Sequence, residues 1–320
     1  MARYRRWMAG RRIAAGIDVG RDAVRVAFVS RRGNTPTIEA LDVQPYAQPC
    51  DPTGSDWSCV TQALGAIVER AAARLPVRGM SAVMALPSRE VAMASLDPRI
   101  AALGPVEPAV HAEAERVTGL SREALAIDWC VNDILYPGRL LIASAERVRI
   151  ELRLEAVAAA GFLLTGIDGE PYAALRAIRQ VACGEIAPAQ AYAALWIGEG
   201  SVDAWRVEGL AVTAHLRLPS PAYADLSELL RDLAGRGALH YAYVGGAGEP
   251  GAADGAPPEC AAIADALGCL VLPFDCSAYC GTSCNASCAV GGGEPAELVP
   301  GRAGGRFAVA FGLGLRGVCE

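Results

Sequence analysis

The sequence predicts an α/β protein made of two related halves, each of which begins with the same succession of strands. An apolar strand at residues 13–18 runs into a glycine turn and returns as the alternating strand 24–30. Strands at 193–197 and 201–207 repeat this arrangement later in the chain, which indicates an internal duplication. With 320 residues, of which 52% are hydrophobic and 20% charged, the chain is long enough to bury the cores of two domains.

Hydrophobic periodicity predicts the remaining elements of the first half in order. After a third strand at 37–43, apolar residues at helical spacing predict a helix at 59–75. Further strands are predicted at 82–86, 91–96, 126–131, 140–143 and 162–167, and further helices at 109–117, 145–160 and 170–182. Glycine and proline within 183–190 indicate a linker to the second half.

The second half is predicted to be shorter than the first. Its third strand, at 210–216, leaves room for only a proline-rich turn and one helix before residue 240. A strand from Tyr241 then ends in Gly245 and Gly246, and an apolar helix rich in small residues is predicted at 306–317.

These elements predict two domains. The first spans 12–182 and carries a small inserted α+β subdomain at about 80–143. The second spans 191–320, and its closing helix is expected to pack back toward the first domain.

Charge and hydropathy exclude several classes of protein. The net charge is -6 and aromatic residues make up 6% of the chain, so there is no overall electrostatic footprint for nucleic acid. Five arginines at positions 3, 5, 6, 11 and 12 form a basic cluster. Such a cluster is either a solvated tail or makes a weak contact with anionic lipid or an acidic partner. No stretch approaches the length of a membrane span, and Asp18 interrupts the first apolar segment, so a cytoplasmic protein is expected.

The eleven cysteines are expected to be reduced thiols, because a chain of this size without a signal peptide is not a small disulfide scaffold. Four of them, Cys276, Cys280, Cys284 and Cys288, recur every fourth residue. Four thiolates would suit zinc or an iron-sulfur cluster, but such sites generally use tighter Cys-x-x-Cys pairs. The glycine, asparagine, serine and threonine between them favour a surface loop instead.

The glycine turns are candidate nucleotide-binding elements. A strand that delivers Asp18 and Gly20 into a tight turn and then returns is how actin-like nucleotide-binding domains open; the glycine admits a phosphate, and the carboxylate reaches a metal ion or its water shell. The glycines that end the strand from Tyr241 suit close approach to a purine or ribose. The candidate cofactor-binding residues are Asp18, Gly20, Arg21, Asp22, Gly198, Gly245, Gly246 and Glu249. No catalytic residue and no metal ligand set is assigned.

Several segments, in order, resemble the PilM-like type IV pilus assembly proteins of the actin-like ATPase superfamily. They are Gly16-Ile-Asp18-Val-Gly20, Ala85-Leu-Pro87-Ser88, the segment 159–177, the glycines at 245 and 246, and the closing segment 308–317. The resemblance covers nearly the whole chain. It implies actin-like (ribonuclease H-like) duplicated domains, with the inserted subdomain in the first half and a truncated second subdomain.

The resemblance also implies a function. Proteins of this family are scaffolds at the inner membrane, and a groove on them holds the short cytoplasmic N-terminal segment of a bitopic membrane protein, PilN. By resemblance, this chain is expected to be cytoplasmic and peripheral to the inner membrane, with a PilN-like partner, other pilus assembly proteins as further partners, and no nucleic acid. ATP with Mg²⁺ is the implied cofactor.

The second phosphate strand departs from the family pattern. Where the family has an acidic residue, this chain reads Trp196-Ile197-Gly198, and an indole cannot hold the water shell of a magnesium ion. The shortened segment 210–240 also removes part of one wall of the purine pocket. The sequence therefore predicts a degraded nucleotide site and leaves ATP binding open.

Two alternatives remain at this stage. One is an actin-fold ATPase or kinase, which would need an acidic residue to activate water or a hydroxyl and an intact magnesium site. The other is an activase of the same superfamily with an iron-sulfur cluster on the four spaced cysteines. The three histidines are far apart in sequence and are expected to be structural.

Overall fold

The computed structural model describes residues 12–48, 50–51, 54–97, 99, 105–132, 139–198, 200–219, 225–246, 260–288, 296–297 and 304–319. The strands are β1 (Arg12–Val19), β2 (Ala23–Arg32), β3 (Thr35–Pro45), β4 (Ser81–Leu86), β5 (Ala92–Leu96), β6 (Leu125–Asn132), β7 (Arg139–Glu146), β8 (Leu163–Gly169), β9 (Ala191–Ile197), β10 (Ser201–Glu208), β11 (Ala211–Pro219), β12 (Tyr241–Gly246), β13 (Leu270–Pro273), β14 (Cys280–Cys288) and β15 (Ala296–Glu297). The helices are α1 (Ser58–Ala72), α2 (Val106–Thr118), α3 (Arg147–Ala159), α4 (Glu170–Glu185), α5 (Leu226–Ala234), α6 (Cys260–Leu267) and α7 (Ala308–Cys319). None of the helices in these ranges is both long and apolar enough to cross a bilayer.

The first of two compact units draws its described residues from 12–86, 152–181 and 273–319. Its seven-stranded sheet has the order β15-β14-β3-β2-β1-β4-β8. Helix α1 buries Val60, Leu64 and Ile67 against this sheet, as their helical spacing predicts. The core continues through Phe28 and Met84, both fully buried.

The second unit draws its described residues from 87–151 and 182–272. It contains a five-stranded sheet of order β11-β10-β9-β12-β13 and a three-stranded sheet of order β5-β7-β6. Helices α5 and α6 cover the larger sheet with Leu230, Leu233 and Ile263, while α2 covers the smaller one with Val110 and Ala114.

The two larger sheets confirm the predicted duplication. In the first unit β3, β2 and β1 are antiparallel neighbours, and β4 adds in parallel on the far side of β1. In the second unit β11, β10 and β9 repeat this order, and β12 adds in parallel beside β9. Each half therefore places the carboxyl ends of two adjacent parallel strands at one edge of its sheet.

Helix α7 packs against β1, β2 and β4 through glycines. A Cβ atom at Gly16 of β1 would overlap the carbonyl oxygen of Ala310, and one at Gly312 would overlap the carbonyl oxygen of Ala173 in α4. Glycine at these positions lets helix and strand backbones approach within distances that no side chain permits. The small residues of the closing segment thus have a packing role.

The spaced cysteines lie largely on a strand, so the predicted loop was wrong. Residues from Cys280 to Cys288 form β14, which pairs in parallel with β3, with a register shift between Cys280 and Asn285. The backbone hydrogen bonds offered by β3 outweigh the low strand propensity of the small polar residues. In the described part of the chain, no three His, Cys, Asp or Glu side chains are grouped so as to hold a metal ion.

The expectation of reduced thiols throughout was also wrong at one place. Cys50 and Cys59 form a disulfide, with their Cα atoms 6.8 Å apart. It links the segment after β3 to the first turn of α1, and Cys50 is part of the core beside that helix.

Candidate functional site

The turn between β1 and β2 brings together the four candidate residues of the first half. The Gly20 amide donates to the carbonyl of Ala23 at 3.0 Å and closes the turn. Asp18 is half-buried at the end of β1, whereas Arg21 and Asp22 are exposed. These four residues thus lie in a single turn, and their role in binding a nucleotide stays a prediction.

Arg25 is a further member of this turn. Although it lies on an apolar strand, its Nη2 atom donates to both carboxylate oxygens of Asp22, at 2.9 and 2.8 Å. Arg25 is also directly opposite Asp18 in the antiparallel register, so both side chains project from the same face. A buried guanidinium thus shares the turn with both carboxylates, which favours an anion there and competes with a divalent cation.

A third carboxylate, Asp168, lies at the same edge of the sheet. Ile17 pairs with Met84, and Met84 pairs with Ile167, so Asp18 and Asp168 are at one level on strands that flank β4. This edge is formed by the carboxyl ends of the parallel strands β1, β4 and β8, where α/β sheets generally bind ligands.

Asp168 is, however, held by groups of its own unit. Its Oδ1 accepts from the Gly169 amide at 2.9 Å. Its Oδ2 lies 2.7 Å from Nη1 of Arg176, at an angle outside hydrogen-bond geometry, and 3.6 Å from Nη1 of Arg316. Since Arg316 also donates to the carbonyl of Ile167 at 3.0 Å, this cluster ties α4 and α7 to the end of β8. It gives the edge two more positive charges.

The second unit brings its three candidate glycines together. The Gly198 amide donates to the carbonyl of Ser201 at 2.9 Å, and Gly245 and Gly246 pair with Trp196 and Ile197. Gly246 has a φ of 137°, and a Cβ atom there would overlap the carbonyl oxygen of Ile197. Only glycine fits this position. The last candidate, Glu249, lies outside the described residues.

Asp203, the acidic residue opposite Trp196 in the sheet, is enclosed by other side chains. Asp203 pairs with Trp196 in the β9–β10 register and is only 1% exposed. Its Oδ2 accepts from the Ser201 hydroxyl at 2.9 Å, and its Oδ1 lies 2.9 Å from Nε2 of His215. The His215 ring stacks on Trp205 at 5.1 Å, which completes a buried polar cluster. Its carboxylate is committed to these partners.

These observations test whether the described residues fit ATP with Mg²⁺. In the first unit a Cβ atom at Gly20 would meet the Arg25 guanidinium, and in the second unit one at Gly246 would meet the Ile197 carbonyl, so protein atoms occupy the space beside each glycine. Taken unit by unit, the described residues fit a magnesium ion poorly: Arg25 stands beside Asp18 in the first unit, and in the second unit Trp196 is buried and Asp203 is enclosed. The residues therefore suit an anion better than a magnesium ion.

Sequence reasoning missed Arg25, Asp168 and the arginines around Asp168. The signal for Arg25 was available, since an arginine between valines in an otherwise apolar strand is unusual and needs a partner. Arg316 is 148 residues from Asp168, and only the packing of α7 brings them together.

Comparison with known proteins gives a match at the level of fold. A chain of the PilM–PilN type IV pilus biogenesis complex aligns with a TM-score of 0.67 and 22% sequence identity, covering 95% of this chain and 98% of that one. The predicted fold class, an α/β actin-like duplicated fold, is confirmed.

Two other solved structures align at lower scores. EutJ, an ethanolamine utilization protein from Carboxydothermus hydrogenoformans, has a TM-score of 0.48 and 13% identity, covering 95% of this chain and 89% of its own. The cytoplasmic domain of EpsL, an inner membrane component of the type II secretion system of Vibrio cholerae, has a TM-score of 0.43 and 11% identity, covering 74% and 82%. TM-scores below 0.5 support no inference about this chain. No family model and no curated protein matches the sequence.

Proposed function

We propose that this chain is a PilM-like scaffold of type IV pilus assembly that binds the short cytoplasmic N-terminal segment of a PilN-like inner-membrane protein. The observation that carries the proposal is the fold agreement, at a TM-score of 0.67 over almost the full length of both chains, with a protein solved in a PilM–PilN complex. The ordered family motifs in the sequence support it independently. The proposed location is the cytoplasmic side of the inner membrane.

The nucleotide site of this scaffold is proposed to be degraded. The first half keeps Asp18, Gly20, Arg21 and Asp22, but the second half keeps only its glycines. Enclosure of Asp203 and burial of Trp196 support the loss of the magnesium-binding half. We expect weak nucleotide binding at most, and no turnover.

The proposal is tested by calorimetric titration of the full-length protein with a synthetic N-terminal peptide of the PilN-like protein encoded beside it. A peptide of the same composition in scrambled order is the control. Saturable binding of the native sequence alone is expected, because a groove that accepts an extended peptide reads side chains at fixed spacing. No binding of either peptide, or equal binding of both, would contradict the proposed function.

An actin-fold ATPase or kinase is the second candidate, favoured by the closed turn between β1 and β2, which carries Asp18 and Gly20. Phosphate release from ATP with Mg²⁺ distinguishes it from the scaffold. Release above the protein-free blank that is lost in Asp18→Ala would favour the enzyme, whereas absence of release favours the scaffold.

A further inference from the structure

Strand β14 is compressed where it passes β3. In the parallel register Cys280 pairs with Ile38, and the next pair joins Asn285 to Ala40. Five steps along β14 therefore match two steps along β3. Two steps of a strand span about 7 Å, whereas five would span about 16 Å. The chain of β14 consequently bends between these two pairs, as a strand does where it carries extra residues.

The bend brings two thiols together. In a regular strand the Cα atoms of Cys280 and Cys284 would be about 13 Å apart. In β14 the two side chains are instead hydrogen-bonded to each other. Gly281 makes room for the bend, since a Cβ atom there would lie only 3.1 Å from Cγ2 of Thr37 on β3. A small movement of the two side chains is therefore enough to reach the sulfur–sulfur bond length of about 2.05 Å.

The two thiols differ in how tightly they hold a proton. The pKa of Cys280 is lowered, because Cys284 donates a hydrogen bond to its thiolate, and this outweighs partial burial and the nearby Asp275 carboxylate. The same hydrogen bond, followed by burial, raises the pKa of Cys284. Both residues are partly exposed, so a small molecule can reach them. Cys280 is thus the nucleophile of the pair, and Cys284 keeps its proton until it reacts.

The surroundings of the pair favour redox chemistry over metal binding. A structural zinc site takes four ligands, and in the described ranges no three His, Cys, Asp or Glu side chains are grouped so as to hold a metal ion. Cys276 is close enough to raise the pKa of Cys284, but it is fully buried. Two adjacent thiols of unequal acidity form a disulfide readily.

We propose that Cys280 and Cys284 form a reversible disulfide by exchange with a low-molecular-weight disulfide of the glutathione type. The Cys280 thiolate attacks one sulfur of the small disulfide, whose sulfur–sulfur bond breaks and releases one small thiol. Cys284 then gives up its proton and attacks the Cys280 sulfur, which releases the second small thiol. The two cysteines are oxidised by two electrons, and the small disulfide is reduced to two thiols. This chemistry does not depend on the proposed scaffold function.

The test equilibrates the full-length protein with mixtures of reduced and oxidised glutathione under nitrogen, once in native buffer and once in urea that unfolds it. Acid stops the exchange, and N-ethylmaleimide then labels the free thiols. Chymotrypsin cleavage after Tyr279 and Leu298 releases the peptide 280–298, which contains Cys280, Cys284 and Cys288. In a singly oxidised peptide the position of the label, read by tandem mass spectrometry, shows which two cysteines are bonded.

The proposal predicts a label on Cys288 and a disulfide between the other two cysteines. Because the fold holds the two sulfurs side by side, the equilibrium constant for this disulfide should be at least about tenfold larger in native buffer than in urea, which is about 30 mV for a two-electron couple.

Three variants assign the roles within the pair. Cys288→Ser is the matched control, because Cys288 has the same spacing from Cys284 as Cys280 has. It should leave the equilibrium constant unchanged within about twofold. Cys284→Ser should stop after the first step, with glutathione bonded to Cys280. Cys280→Ser should acquire glutathione at Cys284 at least about tenfold more slowly. Thermal unfolding verifies that each variant is folded.

Three results, all measured on the unmodified protein, would overturn the proposal. The first is free Cys280 and Cys284 in native buffer at glutathione ratios that oxidise them in urea. The second is a label on Cys280 or Cys284, which would mean that Cys288 is one of the bonded cysteines. The third is an equal equilibrium constant in native buffer and in urea, because sequence proximity alone would then account for the disulfide.

Discussion

At the scale of single residues, Asp203 and Trp196 decide whether the turn between β9 and β10 offers a carboxylate to a metal ion. The indole occupies a buried position on β9, and the carboxylate across the strand pair is bound by Ser201 and His215. A carboxylate in such a cluster stabilises the sheet and is not available to a metal ion. Trp196 was evident in the sequence, but enclosure of Asp203 was not, because His215 reaches it only through the β10–β11 register.

Replacing Asp203 tests this structural role. Asp203→Ala leaves the Ser201 hydroxyl and the His215 ring without their shared acceptor, so we expect the free energy of unfolding to fall by about 2 to 3 kcal/mol. The fall is measured by urea denaturation followed by tryptophan fluorescence, because Trp196 and Trp205 lie on the same sheet as Asp203. The control is Asp232→Ala, at a carboxylate whose side chain is 66% exposed. It should lower the free energy of unfolding by less than about 0.5 kcal/mol. Equal effects of the two substitutions would argue against the cluster.

Cys276 provides a second prediction for a single residue. Burial raises the pKa of its thiol to about 12, so it remains protonated where exposed thiols begin to ionise. In the native protein, iodoacetamide should alkylate Cys276 at least about 100-fold more slowly than the exposed Cys183, measured by peptide mass spectrometry. Similar rates would show that Cys276 is accessible.

The same raised pKa predicts how stability depends on pH. The native state holds the Cys276 proton more tightly than the unfolded state does. The resulting stabilisation is complete below the ordinary thiol pKa of 9.0 and is lost as the pH rises toward 12. In urea denaturation at a series of pH values, Cys276→Ala should show a smaller fall in the free energy of unfolding above the thiol pKa of 9.0 than the unmodified protein does. An equal fall in the two proteins would contradict the raised pKa of Cys276.

At the scale of elements, glycine determines how α7 is seated. Gly312 and Gly314 bring the helix backbone against α4 and β2, where a Cβ atom would overlap Ala173 or Val29. The sequence predicted this helix and its small-residue face from local composition. It did not predict β14, because that strand depends on the free edge of β3, more than two hundred residues earlier.

Gly312→Ala tests the seating of α7. The added methyl group must displace the helix from Ala173. We therefore expect the free energy of unfolding to fall by about 1 to 3 kcal/mol, although alanine favours a helix more than glycine does. Gly65→Ala is the matched control, because Gly65 lies within α1 with open space around its Cβ position. The free energy of unfolding of this control should rise by about 0.5 to 1 kcal/mol. A gain in both variants would contradict the close packing.

At the scale of the whole molecule, duplication accounts for the strand order that the two larger sheets share, and the difference between the copies underlies the proposed degraded nucleotide site. The first strands of each half and the glycine turns between them were predictable, because local periodicity sets them in both halves. The ion pairs of Asp168 were not predictable, since residues far apart in sequence meet only in the packed unit. The first half has Asp18 and Asp22 in its turn, whereas the second reads Trp196-Ile197-Gly198 at the corresponding place, and the proposed degraded nucleotide site rests on this difference.

Titration with the PilN-like peptide, carried out with and without ATP and Mg²⁺, tests this account most directly. We predict saturable binding with a Kd that changes by less than about threefold on addition of the nucleotide, which corresponds to a coupling below about 1 kcal/mol. Absence of peptide binding under both conditions would contradict the scaffold. Binding that appears only with ATP and Mg²⁺, or strengthens tenfold or more, a gain of about 1.4 kcal/mol, would contradict the degraded nucleotide site.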